Sequence, residues 1–359
     1  MKRNRLVFLP VIILAVFMVV LIVWGIGHHE RPQSSGGRII TDMDDSMIEI
    51  PADPRRIACM HGVSSERIVI LGGGNRLTFA MQPSPWMLKI FPEVQNYEVA
   101  KAPFTGNLER MLDLNVDLVL YSAFPGEADK YRAAGIKTAC GFSAQKRPRT
   151  IDEFSENFRR QVTFFGKLLG PEHETKAQKY CRYFDDTVRR VLAVTSKIKL
   201  SDRPSVYYGG RNGNPLLGQG MASVMHWDTE VAGGNFLTRS MDNNFIEVNM
   251  EQVYAWDPDI ILLSAWSRSV DEVTENPNWK SLRAVKTGRV YLIPRGVFAW
   301  DFASGESPLF MIWMAKIFHP ELFAQWDIIQ EMKKFYSEIY GKKITDADAE
   351  RILAGLPPL

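Results

Sequence analysis

Two segments of this chain have nearly the same sequence, and each predicts a short helix followed by a buried strand. Residues 107–123 read NLERMLDLNVDLVLYSA and residues 249–265 read NMEQVYAWDPDIILLSA, with six of the 17 positions identical. Each begins with an asparagine that can cap a helix and carries a glutamate in the first turn, where the helix dipole favours negative charge. An aspartate then precedes an apolar run that is typical of a strand covered on both faces. The repeat therefore predicts two lobes built on one plan.

Short apolar runs alternate with helical patterns on both sides of this repeat. Such a β-α-β order is typical of a mainly parallel sheet with helices on both faces, so we predict an α/β protein with two doubly wound lobes. Helical patterns begin near residues 64, 107, 126, 150, 222 and 249. The predicted strands cover residues 55–60, 76–81, 116–123, 136–142, 204–210, 245–249, 258–265 and 288–294.

A long helical pattern separates the two halves. Residues 172–198 contain neither glycine nor proline, so this helix would be about 40 Å long at 1.5 Å per residue. A helix of that length can bridge two lobes. We place an N-terminal lobe at residues 37–170, the bridging helix at residues 171–199, and a C-terminal lobe with a helical tail at residues 200–359.

The first 36 residues are interpreted as a signal or anchor segment followed by a polar tether. Residues 6–27 carry no charge and are long enough to cross a bilayer, and Lys2, Arg3 and Arg5 place the preceding end in the cytoplasm. A cleaved signal peptide usually has a shorter apolar region and a small-x-small site, so we favour an uncleaved transmembrane anchor. A cleaved signal and a buried core helix are the alternatives. The folded part is expected on the periplasmic or other extracytoplasmic face.

Charge and cysteine content exclude some classes of partner and site. Net charge is only +2, and three of the positive charges lie in the first five residues, so no concentrated basic field remains for nucleic acid. The three cysteines, Cys59, Cys140 and Cys181, have no metal-ligand spacing. Cys59 and Cys140 fall in strand-like runs of the same half. A disulfide between them and separate buried thiols are both open interpretations.

The order of segments resembles that of a known class of transport proteins. VAGGNFL, FIEVNMEQVYAWDPDIILLSA and WKSLRAVKTGRVYLIP are similar to the C-terminal lobe of the iron-siderophore and cobalamin class of periplasmic substrate-binding proteins, the soluble receptors of bacterial ABC importers. GNLERMLDLNVDLVLYSA resembles the matching part of their N-terminal lobe. The resemblance extends over about residues 39–320, and its last third is most similar to members that include a molybdate/tungstate receptor. It implies a ligand cleft between two lobes and little hinge motion.

The resemblance also implies a role for the repeated glutamates. In this class one glutamate on each lobe docks into arginine pockets of the membrane permease, and the matching residues are Glu109 and Glu251. Two carboxylates related by the repeat would meet the two identical subunits of a permease dimer, with its ATPase subunits, at symmetric points. The alternative is that each first-turn glutamate only supports its own helix.

Most candidate ligand contacts follow predicted strands, because open α/β sheets bind ligands beyond the carboxyl ends of their strands. Trp86 lies in a proline-rich loop and Tyr208 lies within a predicted strand. Aromatic and cationic side chains are frequent there. Arginines offer charge-assisted hydrogen bonds and tryptophans offer flat apolar walls, which suits an anionic or aromatic ligand. The candidate ligand-binding residues are His61, Trp86, Tyr208, Arg211, Trp266, Arg268, Arg295 and Trp300.

Two ligand classes fit such a cleft. A metal chelate of the ferric siderophore, haem or corrinoid type would use the aromatic walls and the arginines, whereas molybdate would need a small cavity with several hydrogen-bond donors. The aromatic excess favours the chelate. We expect a monomeric receptor without a resident cofactor, metal site or catalytic residue, because the six histidines lack zinc-ligand spacing and no phosphate-loop or G-x-S-x-G motif occurs. A membrane-tethered enzyme on the same scaffold is the rival class.

Overall fold

The structure of the protein is a computed structural model that describes residues 36–101, 106–122, 125–143 and 147–359. Contacts divide the chain into two units, Met1–Gly37 and Arg38–Leu359, and the second contains both parallel sheets. In the part of the chain that is described, no helix has the length and apolar character needed to cross a membrane. The predicted transmembrane segment at residues 6–27 lies outside the described residues.

The N-terminal half builds a five-stranded parallel sheet. Its spatial strand order is β5-β4-β3-β6-β7, and a separate two-stranded sheet of β1 and β2 precedes it in the chain. The strands are β1 (Gly37–Thr41), β2 (Met47–Pro51), β3 (Ile57–Cys59), β4 (Leu77–Ala80), β5 (Glu98–Val99), β6 (Leu118–Ser122) and β7 (Lys137–Phe142). The helices are α1 (Gly62–Ile68), α2 (Pro85–Ile90), α3 (Leu108–Asp113), α4 (Pro125–Ala133) and α5 (Ile151–Leu169). Shorter helical turns cover Val69–Gly73, Gly74–Arg76 and Pro92–Asn96.

The long helix α6 (Pro171–Thr195) follows directly and has 25 residues. Pro171 occupies its first turn, where a missing N–H costs nothing, and Glu172 and Glu174 lie at the positive end of the helix dipole. Its buried residues recur every three or four positions, which gives one apolar face along the helix. They are His173, Ala177, Tyr180, Phe184, Thr187, Val188, Val191 and Thr195. The observed helix ends four residues before the predicted bounds of 171–199, and its bridging role stays a prediction.

The C-terminal half builds a second parallel sheet, of four strands. Its order is β10-β8-β12-β13, while β9 and β11 form a separate antiparallel pair. The strands are β8 (Ser205–Gly209), β9 (Leu217–Gln219), β10 (Asn235–Phe236), β11 (Phe245–Glu247), β12 (Ile260–Leu263) and β13 (Val290–Leu292). The helices are α7 (Val224–Val231), α8 (Met250–Trp256), α9 (Asp271–Thr274), α10 (Arg283–Lys286), α11 (Ser307–Phe318), α12 (Ile328–Phe335) and α13 (Asp346–Leu353). A π-helical turn, Tyr336–Tyr340, continues α12.

The α/β prediction with two parallel sheets is confirmed, with two local differences. The predicted strand at residues 245–249 pairs with β9 instead of joining the main sheet. Strands β5 and β10 have only two residues each, which is too short to give a pattern in the sequence. The pattern therefore missed one edge strand of each sheet, whereas the opposite edge strands, β7 and β13, were predicted.

One hydrophobic cluster contains residues from both halves of the chain. Phe158 on α5 stacks on Phe184 of α6, with ring centroids 4.3 Å apart, and the same cluster includes Trp86 and Phe310. Stacked rings add to the burial energy of such a core. Arg38–Leu359 is accordingly one compact unit by contacts, and the division into lobes at residues 170 and 199 stays a prediction.

Cys59 and Cys140 are both buried free thiols. They lie on β3 and β7, and β6 pairs with both strands and so lies between them. Strands are about 4.8 Å apart, so the two residues are separated by roughly 10 Å, beyond the reach of a disulfide. Burial raises the pKa of the Cys59 thiol to about 11. The interpretation as separate thiols holds for this pair.

Candidate functional site

The repeated segments form the same structure in both halves. Asn107 accepts a hydrogen bond from the backbone N–H of Arg110 at 3.0 Å, and Asn249 accepts one from Gln252 at 2.9 Å. These bonds cap α3 and α8 as the sequence predicts. The repeat thus fixes the entry of each helix, and with it the position of the first-turn glutamate.

Glu109 and Glu251 occupy the matched first-turn positions, and both are exposed. Within the described residues, neither carboxylate takes part in an ion pair or a side-chain hydrogen bond. Beneath them the matched residues Met111 and Val253 are fully buried and hold each helix on its sheet. Two free carboxylates on surface helices that each bury one residue in the core are well suited to meet cations of another protein.

The repeat also matches in its backbone. Asn115 and Asp257 end the two helices in the left-handed region, with φ of 49° and 40°. Asparagine and aspartate adopt this conformation more readily than other non-glycine residues. The chain therefore turns into β6 and β12 in the same way.

The aspartates that start these strands bind the neighbouring central strand. Asp117 accepts hydrogen bonds from the backbone N–H groups of Arg55 and Arg56, at 2.8 and 3.1 Å, just before β3. Asp259 accepts from the N–H and the hydroxyl of Ser205, at 2.9 and 2.7 Å, at the start of β8. The repeated aspartate is therefore part of the scaffold: it joins two strands at the end of the sheet opposite the candidate ligand site.

At the carboxyl ends of β12 and β13, aromatic and cationic side chains converge on Trp266. The guanidinium of Arg295 lies over the Trp266 ring, 4.1 Å from its centroid. The rings of Phe298 and Phe302 each meet Trp266 edge-on, with centroids 6.4 Å away. We call Trp266, Arg295, Phe298 and Phe302 the aromatic–arginine group. Trp266 is 43% exposed, so this group presents an open aromatic face.

Arg295 has no anionic partner among the residues that the structure describes. Its side chain is half-buried, and burial lowers the pKa of the guanidinium while Asp301 acts in the opposite direction. An arginine keeps its charge in such surroundings. A partly desolvated cation stacked on tryptophan favours an anionic ligand at this position.

The N-terminal half meets this group at Gly62. A Cβ on Gly62 would lie 2.7 Å from the Phe298 ring, so only glycine allows this contact. His61, the preceding residue, hydrogen-bonds the Ser64 hydroxyl through Nδ1 at 3.0 Å and packs on Phe142 at 4.8 Å. Burial, with the charge of Arg67 as a smaller cause, lowers the pKa of His61 to about 4. The imidazole is therefore neutral at neutral pH.

A cavity of about 640 Å³ lies beside Trp266, within the usual size range of small-molecule pockets. It is formed by loops that follow β8 and β12. One oxygen of Glu272 accepts a hydrogen bond from the backbone N–H of Arg268 at 3.1 Å, and the other has no partner within the described residues. The lining residues are Asn212, Gly213, Pro215, Trp266, Arg268 and Glu272.

Three of the candidate contact residues are buried instead of facing this space. Trp86 donates to the carbonyl of Leu356 near the C-terminus, at 2.8 Å, and Trp300 is fully enclosed against α11. The Tyr208 hydroxyl donates to Asp301 at 2.8 Å. These side chains support the loops of the site from below and have no open face for a ligand.

The remaining candidates divide between two places. Trp266, Arg295 and His61 lie at the meeting of the two halves, and Arg268 lines the cavity beside Trp266. Arg211 stacks over Phe245 of β11 at 3.6 Å, on the antiparallel pair.

The sequence did not single out Phe298 and Phe302, although both belong to the motif FAWDF, an aromatic loop after a predicted strand.

Over the described ranges, no group of three or more histidine, cysteine, aspartate or glutamate side chains is arranged to hold a metal ion. Near the aromatic–arginine group, one oxygen of Asp301 accepts hydrogen bonds from Ser264 and Tyr208, while its other oxygen, like one oxygen of Glu272, has no partner within the described residues. The described residues can therefore bind the outside of a ligand by charge and aromatic contact.

Comparison with known proteins gives consistent matches. A family model described as periplasmic binding protein matches residues 66–296. Molybdate-binding protein MolA of Haemophilus influenzae is 23% identical over 342 residues, which is 88% of this chain and 94% of that protein. The Fe(3+)-citrate-binding protein YfmC of Bacillus subtilis is 31% identical over 200 residues, which is 52% of this chain and 56% of that protein.

Solved structures match over nearly the whole chain. The crystal structure of Haemophilus influenzae MolA bound to molybdate has a TM-score of 0.77 at 19% identity, covering 86% of this chain and 99% of that one. A periplasmic solute binding protein from Veillonella parvula has a TM-score of 0.72 at 23% identity, covering 89% and 97%. At these identities the likeness establishes a shared fold.

Proposed function

The chain belongs to the periplasmic binding protein family, and we propose that it is the extracytoplasmic receptor of an ABC importer whose ligand is an anionic metal chelate. The ligand binds at the aromatic–arginine group and is delivered unchanged to a permease. The relatives are named as binding proteins, which favours binding without chemistry. The proposal concerns ligand class and contact residues, since family membership alone fixes neither.

The observation that carries the proposal is the position of Arg295. Its guanidinium lies on an exposed tryptophan ring and has no acidic partner within the described residues. A half-buried arginine without a partner is costly, because a charge removed from water needs a compensating group. A carboxylate or other anionic edge of a ligand would compensate it with charge-assisted hydrogen bonds.

The aromatic content around Arg295 favours a flat or bulky ligand over a small ion. Trp266, Phe298 and Phe302 offer ring faces and edges, which gain most from an apolar or planar surface. A ferric carboxylate chelate, a siderophore, haem or a corrinoid has such surfaces as well as negative charge. The relative from Bacillus subtilis is named for ferric citrate, which combines iron with carboxylates.

Molybdate is the second candidate ligand. It is supported by the relative MolA, which matches over 88% of this chain. A tetrahedral oxyanion would use Arg295 and neighbouring donors but would leave the three rings of the aromatic–arginine group with little to contact. For this reason we place the chelate first.

Delivery would use Glu109 and Glu251. They are exposed, have no partner within the described residues, and stand at matched positions of the repeat. Each exposed pair with a permease arginine would contribute about 0 to 1 kcal/mol, so these contacts would set orientation more than affinity. An anchor at residues 6–27, if it is retained, would keep the receptor near its permease and raise their effective concentration.

A thermal unfolding screen of the full chain tests the ligand class. The panel contains ferric citrate, ferric siderophores, haem, cobalamin, a nickel–histidine complex, molybdate and tungstate. A ligand at 100 times its Kd stabilises the folded state by about 2.7 kcal/mol, which shifts the midpoint visibly. A rise with an anionic chelate supports the proposal, whereas a rise with molybdate and with no chelate would contradict it.

A further inference from the structure

Arg295 and Phe298 belong to a tight loop, residues 294–305, which we name the cleft loop. Arg295 and Ala299 form an isolated antiparallel bridge, and the N–H of Gly296 donates to the carbonyl of Phe298 at 3.1 Å. The side chains of Arg295 and Phe298, which face the proposed ligand, therefore extend from one narrow turn. Their direction depends on what holds that turn.

The buried carboxyl of Glu306 lies inside this turn. Its Oε2 accepts the backbone N–H of Phe298 at 3.2 Å, and its Oε1 accepts the hydroxyl of Tyr336. A Cβ on Gly296 would come within 2.1 Å of Oε1. Glycine is thus required where the carboxyl presses against the turn, and the carboxyl fixes the backbone between the two ligand-facing residues.

A second buried carboxyl, from the N-terminal half, holds the far end of the cleft loop. Glu66 Oε1 accepts the N–H of Gly305 at 2.8 Å, and Glu66 Oε2 pairs with Nη1 of Arg67 at 3.1 Å. Nη2 of Arg67 donates to the carbonyl of Ala303 at 2.5 Å. The loop that presents the ligand contacts is therefore held from α1 as well as from its own half.

The charges in this cluster do not balance if both acids are ionised. Glu66, Arg67 and Glu306 are all 0% exposed. Arg67 pairs with Glu66, and no cation contacts Glu306 within the described residues. An unpaired buried charge is costly, so a proton on Glu306 is the cheaper state. The other polar groups that face it are Tyr180, Tyr336, Tyr340 and the indole of Trp300.

We infer that Glu306 is a positioning residue for the proposed ligand site, and that its uncharged carboxyl fixes the turn that presents Arg295 and Phe298. This inference deepens the proposed function and rests on it for the ligand contact. Burial, and after it the charge of Glu66, raises the pKa of Glu306 to about 8 against the bond from Tyr336. The neutral form accordingly prevails at neutral pH, and alkaline pH would place a bare charge inside the turn.

Hydrogen–deuterium exchange on the ligand-free full chain tests the positioning without any ligand. The variants are Glu306→Ala and Glu306→Gln, with Glu338→Ala as control, an exposed glutamate on the π-helical turn that carries Tyr336. For Glu306→Ala we expect exchange in residues 294–305 to become roughly tenfold faster, because a buried N–H loses its acceptor. Exchange in β6 should stay as in the wild type. Glu306→Gln keeps an uncharged acceptor and should stay protected.

The same variants are then titrated with ferric citrate, with haem and with molybdate between pH 6 and pH 9. The wild type should lose cleft-loop protection, and affinity for whichever probe it binds, as the pH rises through about 8. Glu306→Gln should lack this step near pH 8, whereas the titration of Glu66, whose pKa burial raises to about 7, remains in both proteins. This pH profile is a readout that a merely structural role of Glu306 would not give.

Several results would overturn the inference. Unchanged exchange of the cleft loop in Glu306→Ala, or equally faster exchange in β6, would show that Glu306 does not act on the turn. If the cleft loop of Glu306→Gln exchanges as fast at pH 7 as that of Glu306→Ala, the native carboxyl is charged. If Glu306→Ala does not fold, the pH profile of the wild type against Glu306→Gln decides. Failure of every probe to bind wild type, with the exchange as expected, would contradict the proposed function and leave the fixing of the loop intact.

Discussion

The matched aspartates Asp117 and Asp259 have the same place in the repeat and opposite electrostatics. Burial raises the pKa of Asp117, although the N–H groups of Arg55 and Arg56 act against it. Burial also acts on Asp259, but the bonds from Ser205 and Arg283 together hold its pKa below its usual value. The difference arises because only Asp259 has a cation in direct contact, Arg283 Nη1 at 2.6 Å. Both aspartates thus bond the start of the neighbouring strand, but the charged groups around them differ between the two halves.

The last residues of the repeat have different surroundings in the two halves. At the end of β12 the hydroxyl of Ser264 donates to Asp301 at 2.7 Å, beside the loop that carries Trp266. The matched Ser122, at the end of β6, has no side-chain partner within the described residues. We conclude that Asp117 and Asp259 maintain the scaffold, whereas the proposed ligand contacts lie in unmatched loops beyond the strands. Substitutions in the two kinds of position should therefore have separable effects.

The largest effect is expected from removing the ligand-facing arginine. Arg295→Ala should raise the Kd for an anionic chelate about 10- to 100-fold, because a charge-assisted hydrogen bond contributes roughly 1.5 to 3 kcal/mol. Isothermal titration calorimetry measures this. The control is Arg283→Ala, a scaffold arginine that should lower the free energy of unfolding and leave Kd unchanged. Equal Kd values for wild type and Arg295→Ala would remove the distinction between scaffold and ligand loop.

The next effect concerns the matched aspartates. Asp259→Asn should lower the free energy of unfolding by about 2 kcal/mol, since it weakens a charged network, and Asp117→Asn by about 1 kcal/mol, since an amide oxygen can still accept both N–H groups. Urea unfolding gives both values. Equal losses would mean that the halves have not diverged as their contacts indicate.

The same pair gives a pH test with opposite signs. The pKa of Asp259 is lowered in the folded state, so its stabilisation is present above the unfolded value and is lost as the pH falls through the folded pKa. The pKa of Asp117 is raised, so its contribution is present at low pH and is lost as the pH rises through its folded pKa. Asp259→Asn should flatten the acid loss of stability, and Asp117→Asn should not.

A smaller effect is expected from the helix caps. Asn107→Ala and Asn249→Ala should each lower the free energy of unfolding by about 1 kcal/mol, because each removes one bond to an otherwise unpaired helical N–H. Replacing each asparagine by serine, which also caps helices, is the matched control and should restore most of the loss. A cap variant with unchanged stability would indicate that the helix is held by burial of Met111 or Val253 alone.

The smallest effect on the purified protein should come from the docking glutamates. Glu109→Ala combined with Glu251→Ala should change stability by less than about 0.5 kcal/mol and leave Kd unchanged, because both carboxylates are exposed and unpaired within the described residues. Ligand uptake by cells should nevertheless fall strongly. Undiminished uptake in the double variant, with Asp113→Ala as an exposed acidic control, would contradict the docking role.

The sequence predicted the central strands of both sheets better than the short strand at one edge of each sheet. Central strands such as β6 and β12 are buried on both faces, so they give continuous apolar runs, and the predicted bounds exceed the observed ones by only a few residues. Strand β5 and strand β10 pair over two residues each, which leaves no pattern to detect. The prediction was therefore accurate where burial alone determines the sequence.

The candidate site was predictable where chemistry follows a strand directly. Trp266 and Arg295 come just after β12 and β13, and the rule that ligands bind beyond strand ends named both as candidates, a role that stays a prediction. Trp86 could not be judged in this way, because its burial depends on Leu356, 270 residues away. The position of Glu306 could not be predicted either, since nothing in its local sequence shows that the carboxyl is enclosed with Glu66. Such contacts depend on tertiary packing between distant segments.

The most direct test of the account is a calorimetric titration of the full chain with the chelate that gives the largest thermal shift, in wild type, Arg295→Ala and Arg283→Ala. The account predicts that Arg295→Ala weakens binding at least about tenfold, which corresponds to 1.4 kcal/mol, while Arg283→Ala binds as tightly as the wild type. Binding that is unaffected by Arg295→Ala, or is lost equally in both variants, would contradict the assignment of the ligand to the aromatic–arginine group.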